Sequence, residues 1–336
     1  MELSRKLVLF SCRSGRPLAE KIAKILDTNL ASTEIKMFSN NEFTTIIGDS
    51  VRGADTYVVQ LIDDPLSDRS PADNFWELAE TVDAIRRSNG FNGYVTVIMP
   101  NFFRARQHKR KDREPLSIRL VADTLGVAGA NLVMTLDVHS DATHGCFSGV
   151  KFESLYFSRH LIRALYDLYP ETMKNTDNLA FASVDLGGLQ RAKFYAQKCG
   201  CELIAAEKFK DYSVAGNRKI EETVILGKAE GRNIIIVDDM IDTAGTVYSG
   251  VRELKETHKA GDILLVCTHP ILSGSGPERL AKMYEQGWIK GLICSDTVTH
   301  DTSKFGFPMH VVTSAGLYAE AIKICHQNLS IKVLLE

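Results

Sequence analysis

The chain has 336 residues, of which 44% are hydrophobic and 24% charged, and its formal net charge is −2. These values are typical of a soluble globular protein with about two domains. The small net charge argues against nucleic acid or an acidic membrane surface as a partner. No apolar run approaches the roughly 20 residues that a membrane-spanning helix needs.

The seven cysteines do not have the spacing of a disulfide framework. Cys199 and Cys201 flank one glycine, but no second pair lies at metal-ligand spacing, so we expect structural cysteines. The first residues lead directly into a strand pattern and lack a signal-peptide pattern. We therefore expect a reducing, cytoplasmic setting.

The first half of the chain alternates strand and helix patterns, which is typical of an α/β fold with a mainly parallel sheet. Helical spacing of apolar residues follows Pro17, a residue that favours the first turn of a helix. Six of the ten residues in the stretch 104–113 are Lys or Arg. The predicted strands are 7–11, 35–38, 56–62, 94–99 and 132–136.

The second half repeats this scheme, and no linker composition marks the boundary, which we place near residues 148–156. Amphipathic spacing predicts helices at 155–168 and 315–326. The predicted strands are 179–184, 203–206, 234–237, 263–267 and 292–294.

The stretch 234–246 carries the clearest chemical pattern. Four apolar residues predict a buried strand, and Asp238 and Asp239 follow at its carboxyl end, where open α/β sheets bind ligands. Paired carboxylates accept hydrogen bonds from a diol, and a small-residue loop at a helix start binds phosphate. The pattern thus predicts a pentose phosphate site, the alternative being an acidic turn without a ligand. The loop residues are Asp242, Thr243, Ala244, Gly245 and Thr246.

This stretch resembles the phosphoribosyl diphosphate loop shared by phosphoribosyltransferases and ribose-phosphate diphosphokinases. Other segments resemble the second family, also called PRPP synthetases, in order from about residue 7 to residue 325. The length of the chain suits that two-domain family. These segments are 38–42, 105–115, 136–139, 183–188, 267–274 and 319–322.

The resemblance implies two phosphoribosyltransferase-type domains, each a mainly parallel sheet flanked by helices. Residues 1–152 would bind ATP and support oligomerisation, and residues 153–336 would bind ribose 5-phosphate. Packing of the final segment back onto the first domain is left open.

The family transfers the diphosphoryl group of Mg-ATP to the anomeric hydroxyl of ribose 5-phosphate, giving 5-phosphoribosyl 1-diphosphate and AMP. The resemblance therefore implies ATP and ribose 5-phosphate as substrates. An aromatic ring stacks on adenine, a carboxylate accepts from its amino group, and a guanidinium binds phosphate. The implied ATP-binding residues are Phe38, Asn40, Glu42, Arg106 and Gln107.

The resemblance also implies Mg²⁺ bound by His139 and Asp185, and catalytic roles for Lys208 and Lys210. A water-mediated contact or an ordinary core position is the alternative for His139. The alternative for the lysines is an exposed charged loop. Lys210 stands where the family commonly has arginine, which keeps the charge but loses the planar fork.

In the family the 38–42 segment comes from a neighbouring subunit, so the resemblance implies a homo-oligomer of dimers assembled into a hexamer. Ser50 and Arg52 match part of a regulatory phosphate site. The segments 145–148 and 313–316 differ from the family pattern, which predicts altered phosphate activation or ADP inhibition. His108 stands at a usually acidic position, in a basic loop about one residue shorter than usual.

Three other functions compete with a synthetase. A non-catalytic regulatory homologue is disfavoured because the acidic pair, His139, Asp185, Lys208 and Arg106 are all present. A phosphoribosyltransferase is disfavoured because the segments that resemble an ATP site would then have no function. A nucleic-acid-binding module is disfavoured by the net charge and by the absence of aromatic residues interleaved in the stretch 104–113.

Overall fold

The computed structural model describes residues 5–90, 93–211 and 220–335, with the backbone alone considered at 207–211 and 220–224. The chain divides into two compact units. The first takes in residues through Phe157, together with Asp296–His300 and the segment from Thr313 onward. The second comprises Ser158–Ser295 and Asp301–Val312. The chain therefore crosses between the units more than once.

The described strands are β1 (Leu7–Ser11), β2 (Thr33–Met37), β3 (Phe43–Ile47), β4 (Asp55–Val59), β5 (Tyr94–Ile98), β6 (Leu132–Leu136), β7 (Lys151–Leu155), β8 (Leu179–Ser183), β9 (Glu202–Asp211), β10 (Ile220–Leu226), β11 (Asn233–Ile241), β12 (Ile263–Pro270), β13 (Leu292–Ser295) and β14 (Met309–Val312). The described helices are α1 (Arg16–Leu26), α2 (Pro71–Asn89), α3 (Ser117–Ala128), α4 (Ser158–Leu168), α5 (Pro170–Lys174), α6 (Leu189–Cys199), α7 (Gly245–Glu256), α8 (Gly276–Glu285) and α9 (Ala315–His326). None of these helices is long and apolar enough to cross a membrane.

The first unit is built on a parallel sheet with the strand order β1-β4-β5-β6-β7. Every residue of β4 and β6 is buried, because helices cover this sheet on both faces. Helix α2 begins after Ser70, whose hydroxyl accepts from the Asp73 amide while the Asp73 carboxylate accepts from the Ser70 amide. This reciprocal cap satisfies helix-start amides that have no partner within the helix.

The final helix packs within the first unit, against α1. Asp296 anchors this segment, because its buried carboxylate accepts from the Ser314 amide at 2.7 Å and from the Thr313 hydroxyl at 2.6 Å. Lys21 of α1 lies 2.9 Å from the same carboxylate. One acidic side chain therefore joins three parts of the chain.

The second unit is built on a sheet with the strand order β10-β9-β8-β11-β12-β13-β14. All neighbouring pairs are parallel except β9 with β10. Continuous apolar runs make β8 and β12 fully buried, as expected for central strands covered by helices. The α/β class with mainly parallel sheets agrees with the sequence-based prediction.

Several local predictions were wrong. Helix α4 begins at Ser158 rather than at residue 155, because Lys151–Leu155 forms the edge strand β7. The strand predicted at 35–38 is Thr33–Met37, and it pairs with Phe43–Ile47, which was not predicted as a strand. Strand β9 runs to Asp211 and pairs with the unpredicted β10. Each error concerns either an edge strand, β7, or an antiparallel pair, β2–β3 or β9–β10.

Candidate active site

The carboxylates of Asp238 and Asp239 lie where β11 extends beyond the end of its neighbour β8. Strand β11 stays paired with β12 as far as Ile241, opposite Pro270, whereas its pairing with β8 ends at Ile236, opposite Ala182. Asp238 and Asp239 therefore lie beyond the carboxyl end of β8, although β11 itself is longer than the sequence predicted. This is the edge at which open parallel sheets bind ligands.

A neighbouring arginine partly neutralises this acidic pair. Nη1 of Arg191, on α6, lies 3.2 Å from Oδ1 of Asp239 and 3.9 Å from Oδ1 of Asp238. Burial, followed by the Asp239 and Asp185 carboxylates, raises the pKa of Asp238 well above its usual range, and Arg191 opposes that effect. The Asp239 amide donates to Oδ1 of Asp238 at 2.8 Å. Arg191 was not predicted as a site residue, and its only signal in the sequence is its position three residues after Gly188.

The loop after β11 ends at a helix start whose N-cap residue makes no side-chain capping bond. Ala244 has a left-handed backbone with φ 55°, and α7 begins at the next residue. That conformation costs a non-glycine residue about 1–2 kcal/mol, and such strain persists mainly at functional sites. The first amides of α7 have no partner within the helix, and the N-cap residue, Ala244, has no side chain that could cap them. Thr243 and Thr246 are exposed beside them, so the loop offers donors suited to a phosphate.

Hydrogen bonds from α8 and from the segment before it fix the loop of residues 242–246, named here the phosphate loop. Nη1 of Arg279 donates to the Thr243 carbonyl at 2.7 Å, and the Ser273 hydroxyl donates to the Asp242 carboxylate. A Cβ at Gly276 would lie 2.4 Å from the Asp242 carbonyl oxygen, so only glycine permits this close approach. Arg279 and Ser273 were not predicted as site residues.

Asp185 lies in a tight turn between β8 and α6. Its Oδ1 accepts from the Gly188 amide at 2.8 Å, and the Ser183 hydroxyl donates to its backbone carbonyl at 2.7 Å. Its side chain is exposed, and it is close enough to raise the pKa of Asp238. The second unit therefore brings together Asp185, Asp238 and Asp239.

The two predicted catalytic lysines lie on β9 rather than in a loop. Lys208 is paired opposite Thr223 of β10, and Lys210 is paired opposite Glu221. The side chains of both lysines lie outside the described part of the chain. Their catalytic roles stay predictions.

The predicted adenine-binding segment is the turn of the β2–β3 hairpin. The Phe38 amide donates to the Glu42 carbonyl at 2.8 Å, and Oδ1 of Asn40 accepts from the Glu42 amide at 3.2 Å. The Phe38 ring is 44% exposed, and the Lys36 ammonium lies 5.5 Å from its centroid. The hairpin thus presents an aromatic ring and a carboxylate to solvent.

The predicted nucleotide loop follows β5. Arg106 and Gln107 are exposed, and Nη1 of Arg104 donates to Oε1 of Gln107 at 3.2 Å. The Arg104 guanidinium lies 5.0 Å from the Phe103 ring centroid, and Phe103 stacks on Phe75. Arg104, which was not predicted individually, therefore helps to orient Gln107.

His139 follows β6 and is exposed, whereas Asp137 before it is buried with φ 34°. The Asp137 carboxylate accepts from the Phe157 amide, with 3.3 Å to Oδ1, which is a structural role. The His108 ring lies 5.5 Å from the His139 ring, centroid to centroid. Burial, then His139 and Lys109, lower the pKa of His108, while the Ala105 carbonyl opposes this.

Ser50 and Arg52, the predicted regulatory pair, are exposed between β3 and β4. Among the described residues, no cluster of three or more His, Cys, Asp or Glu side chains is arranged to hold a metal ion. His139 in the first unit and Asp185 in the second are both exposed, and each offers a ligand atom of a kind that Mg²⁺ can accept beside phosphate oxygens and water.

Two family models match the chain. One is described as the N-terminal domain of ribose phosphate pyrophosphokinase and matches residues 7–129, and the other is a phosphoribosyl transferase domain and matches residues 153–291. A ribose-phosphate pyrophosphokinase of Chlorobaculum tepidum is 34% identical over 340 residues, covering 100% of this chain and 96% of the relative. Ribose-phosphate pyrophosphokinase 2 of Enterococcus faecalis is 32% identical, covering 98% of this chain and 96% of the relative.

A solved structure agrees with these matches. The crystal structure of phosphoribosylpyrophosphate synthetase from Mycobacterium smegmatis has a TM-score of 0.83 and 29% identity, covering 96% of this chain and 100% of that chain. The family and the fold class predicted from the sequence are thereby confirmed. The chain belongs to the ribose-phosphate pyrophosphokinase, or PRPP synthetase, family of enzymes.

Proposed function

We propose that this enzyme transfers the diphosphoryl group of ATP to the anomeric hydroxyl of ribose 5-phosphate. The anomeric hydroxyl oxygen bonds to the β-phosphorus and its proton is released to solvent. The bond between the β-phosphorus and the α,β-bridging oxygen breaks, and AMP leaves with that oxygen. The observation that carries the proposal is the adjacency of Asp238, Asp239 and the phosphate loop in one unit of a chain with full-length relatives in this family.

The second unit binds the acceptor sugar in this proposal. The carboxylates of Asp238 and Asp239 accept from the ribose hydroxyls, and the loop amides donate to the 5-phosphate. Arg191 limits the repulsion between the two acids, which lie close to a phosphorylated sugar. This placement fixes the anomeric hydroxyl for attack, which is the main task in phosphoryl transfer.

The donor nucleotide is bound by the exposed groups of the first unit. Phe38 stacks on adenine, Asn40 and Glu42 bond to its edge, and Arg106 and Gln107 contact the phosphates and the nucleotide. Lys208 and Lys210 neutralise charge on the migrating group. His139 and Asp185 bind Mg²⁺, which neutralises phosphate charge when it is present.

The test follows AMP formation from ATP and ribose 5-phosphate by purified protein. We expect AMP and 5-phosphoribosyl 1-diphosphate in equal amounts, and Lys208→Ala should lower kcat by a factor on the order of 100 or more. Lys228→Ala, at an exposed position after β10, is the control and should leave the rate unchanged. No AMP with any divalent cation would reject the proposal and favour a non-catalytic regulatory homologue.

We also propose a homo-oligomer of dimers assembled into a hexamer, in which a neighbouring subunit supplies Phe38 to each site. A hairpin turn that exposes an aromatic ring supports this idea. Phe38→Ala and Lys208→Ala subunits, each nearly inactive, should regain part of their activity after mixing and subunit exchange. Absence of any recovery in exchanged mixtures would show that each subunit supplies its own Phe38.

Ser50 and Arg52 are proposed to bind a regulatory phosphate, with weakened phosphate activation or ADP inhibition. Activity titrations with phosphate and ADP test this, and ordinary responses to both would contradict it. A reducing, cytoplasmic setting is proposed as well, and it is supported by the seven cysteines, none of which is in a disulfide.

A further inference from the structure

Two imidazole rings lie side by side in the first unit. The ring centroids of His108 and His139 are 5.5 Å apart, and the ring planes are tilted by 60°. His108 comes from the basic stretch 104–113, and His139 comes from the segment after β6. Both residues belong to the same compact unit, so their pairing is a property of that unit's own fold.

The separation of the rings fits two ligands of one ion. A bond from zinc to an imidazole nitrogen is about 2.0–2.1 Å, so an ion shared by two imidazoles holds their centroids roughly 5–6 Å apart. The 60° tilt also departs from parallel stacking. The rings are therefore spaced as a half-site whose remaining ligands would come from phosphate oxygens.

One nitrogen of the pair is buried, although the Ala105 carbonyl interacts with the His108 ring. Nδ1 of His108 makes no hydrogen bond of normal geometry with any group in the described part of the chain. Buried polar atoms are nearly always paired, and a bound cation is a partner that would satisfy this nitrogen. His139 is exposed at the same place, where a nucleotide-bound cation has access to it.

We propose that His108 and His139 together bind the divalent cation that accompanies ATP. The proposal rests on the proposed function, in which His139 is the only imidazole ligand. Mg²⁺ prefers oxygen ligands, whereas Mn²⁺, Co²⁺ and Zn²⁺ accept imidazole readily. A second imidazole therefore shifts the preferred cation of this protein from Mg²⁺ toward a transition metal.

Pulsed EPR of bound Mn²⁺ counts directly coordinated imidazole nitrogens and tests the proposal. The sample contains full-length protein, Mn²⁺ and α,β-methylene ATP, which lacks the bond that the reaction breaks. Wild-type protein should show two imidazole nitrogens, and both His108→Gln and His139→Gln should show one. His144→Gln is the matched control, because His144 is an exposed histidine of the same unit that packs on Phe152, and it should keep two.

The affinity for Mn²⁺ and the metal preference supply a second measurement. His108→Gln should weaken Mn²⁺ binding by a factor on the order of ten or more, because loss of even a group that supports a ligand costs about that much. His144→Gln should leave the affinity unchanged. His108→Asp, which returns an oxygen ligand, should lower the ratio of activity with Mn²⁺ to activity with Mg²⁺ by a similar factor.

The outcomes separate this proposal from the function on which it rests. One nitrogen in wild type, kept in His108→Gln and lost in His139→Gln, overturns the role of His108 and leaves that of His139. Two nitrogens in His108→Gln overturn the proposal as well. No imidazole nitrogen in wild-type protein overturns the metal-binding role of both histidines, while the AMP assay still decides the function.

Discussion

Asp238 and Asp239 have the same side chain and different surroundings. Asp239 is 4% exposed and has the closer contact with Arg191, at 3.2 Å, whereas the Asp238 contact is 3.9 Å. Burial and two neighbouring carboxylates raise the pKa of Asp238. The concentration of negative charge at this point destabilises the fold. A ligand whose hydroxyl groups donate several hydrogen bonds to the carboxylates reduces this unfavourable energy. In the proposed function, the acidic pair therefore lowers the stability of the free protein and is relieved when the sugar binds.

The raised pKa of Asp238 gives a stability prediction with a definite sign. The folded protein binds this proton more tightly than the unfolded chain does, so ionisation of Asp238 costs stability as the pH rises above its ordinary range near 4. Asp238→Asn removes that cost. At pH 7.5 the variant should melt about 2–4 °C above wild type, which corresponds to roughly 1 kcal/mol, and it should bind ribose 5-phosphate more weakly.

Thermal melts of wild type and Asp238→Asn across the pH range check this prediction. The difference in melting temperature should be near zero below pH 4, grow as the pH rises and then level off above the raised pKa. Asp239→Ala is the contrasting variant, because it removes a partner of Arg191 and should lower the melting temperature. A constant difference at every pH would mean that the ionisation of Asp238 is not its cause.

At the scale of elements, the conformation of the phosphate loop depends on α8 as well as on α7, the helix that starts within the loop. Arg279 of α8 donates to the Thr243 carbonyl at 2.7 Å, and the start of α8 passes so close to Asp242 that Gly276 admits no side chain. A strained residue, Ala244, therefore lies in a loop that is held from outside. Such support reduces the ordering that phosphate binding would otherwise require.

Arg279→Ala should raise the KM for ribose 5-phosphate by about tenfold, because the loop loses its anchor, and leave the KM for ATP nearly unchanged. Steady-state kinetics with each substrate varied in turn measure both constants. Lys282→Ala is the control on the same helix, because its ammonium lies over the Tyr248 ring, 5.8 Å from the centroid. Equal effects of the two variants, or an equal rise in both KM values, would contradict a specific role for Arg279.

At the scale of the whole molecule, local sequence patterns predicted the strands with apolar runs, the edge strand β1 among them, and missed strands with a mixed pattern. Strand β11 contains the apolar run 234–237 and β6 the apolar run 132–134, and burial on both faces makes such runs easy to recognise. The edge strand at Lys151–Leu155 mixes exposed and buried positions, so its pattern resembled the start of the helix that follows. The strands of the β2–β3 and β9–β10 pairs are formed by pairing with each other, and the pattern within a single segment does not reveal that pairing.

The candidate site followed the same rule. Asp238 and the phosphate loop were predicted because their residues are contiguous and follow a strand with a clear pattern. Arg191 and Arg279 were missed because they come from other helices and meet the site only in three dimensions. The contact of His108 with His139 was missed for the same reason, since 30 residues separate them and each was assessed alone.

The return of the chain to its first unit depends on one buried carboxylate. Asp296 accepts from Ser314, Thr313 and Lys21, and its side chain is 9% exposed. Asp296→Ala leaves these donors without their partner, so we expect the first unit to lose roughly 3–5 kcal/mol of stability. Thermal melts should show this loss as an earlier transition, and hydrogen exchange should rise in α9 before it rises in the second unit.

Asp301→Ala is the matched control, because this carboxylate lies five residues further along the chain and its side chain is 39% exposed. Its contact with Lys304, at 3.3 Å, is a surface ion pair, and such pairs contribute about 0–1 kcal/mol. Asp301 also accepts from the Ser303 amide and hydroxyl, so the two aspartates differ mainly in burial rather than in chemistry. Equal melting temperatures for the two variants would show that α9 is held in the first unit by apolar packing against α1 and not by the Asp296 carboxylate.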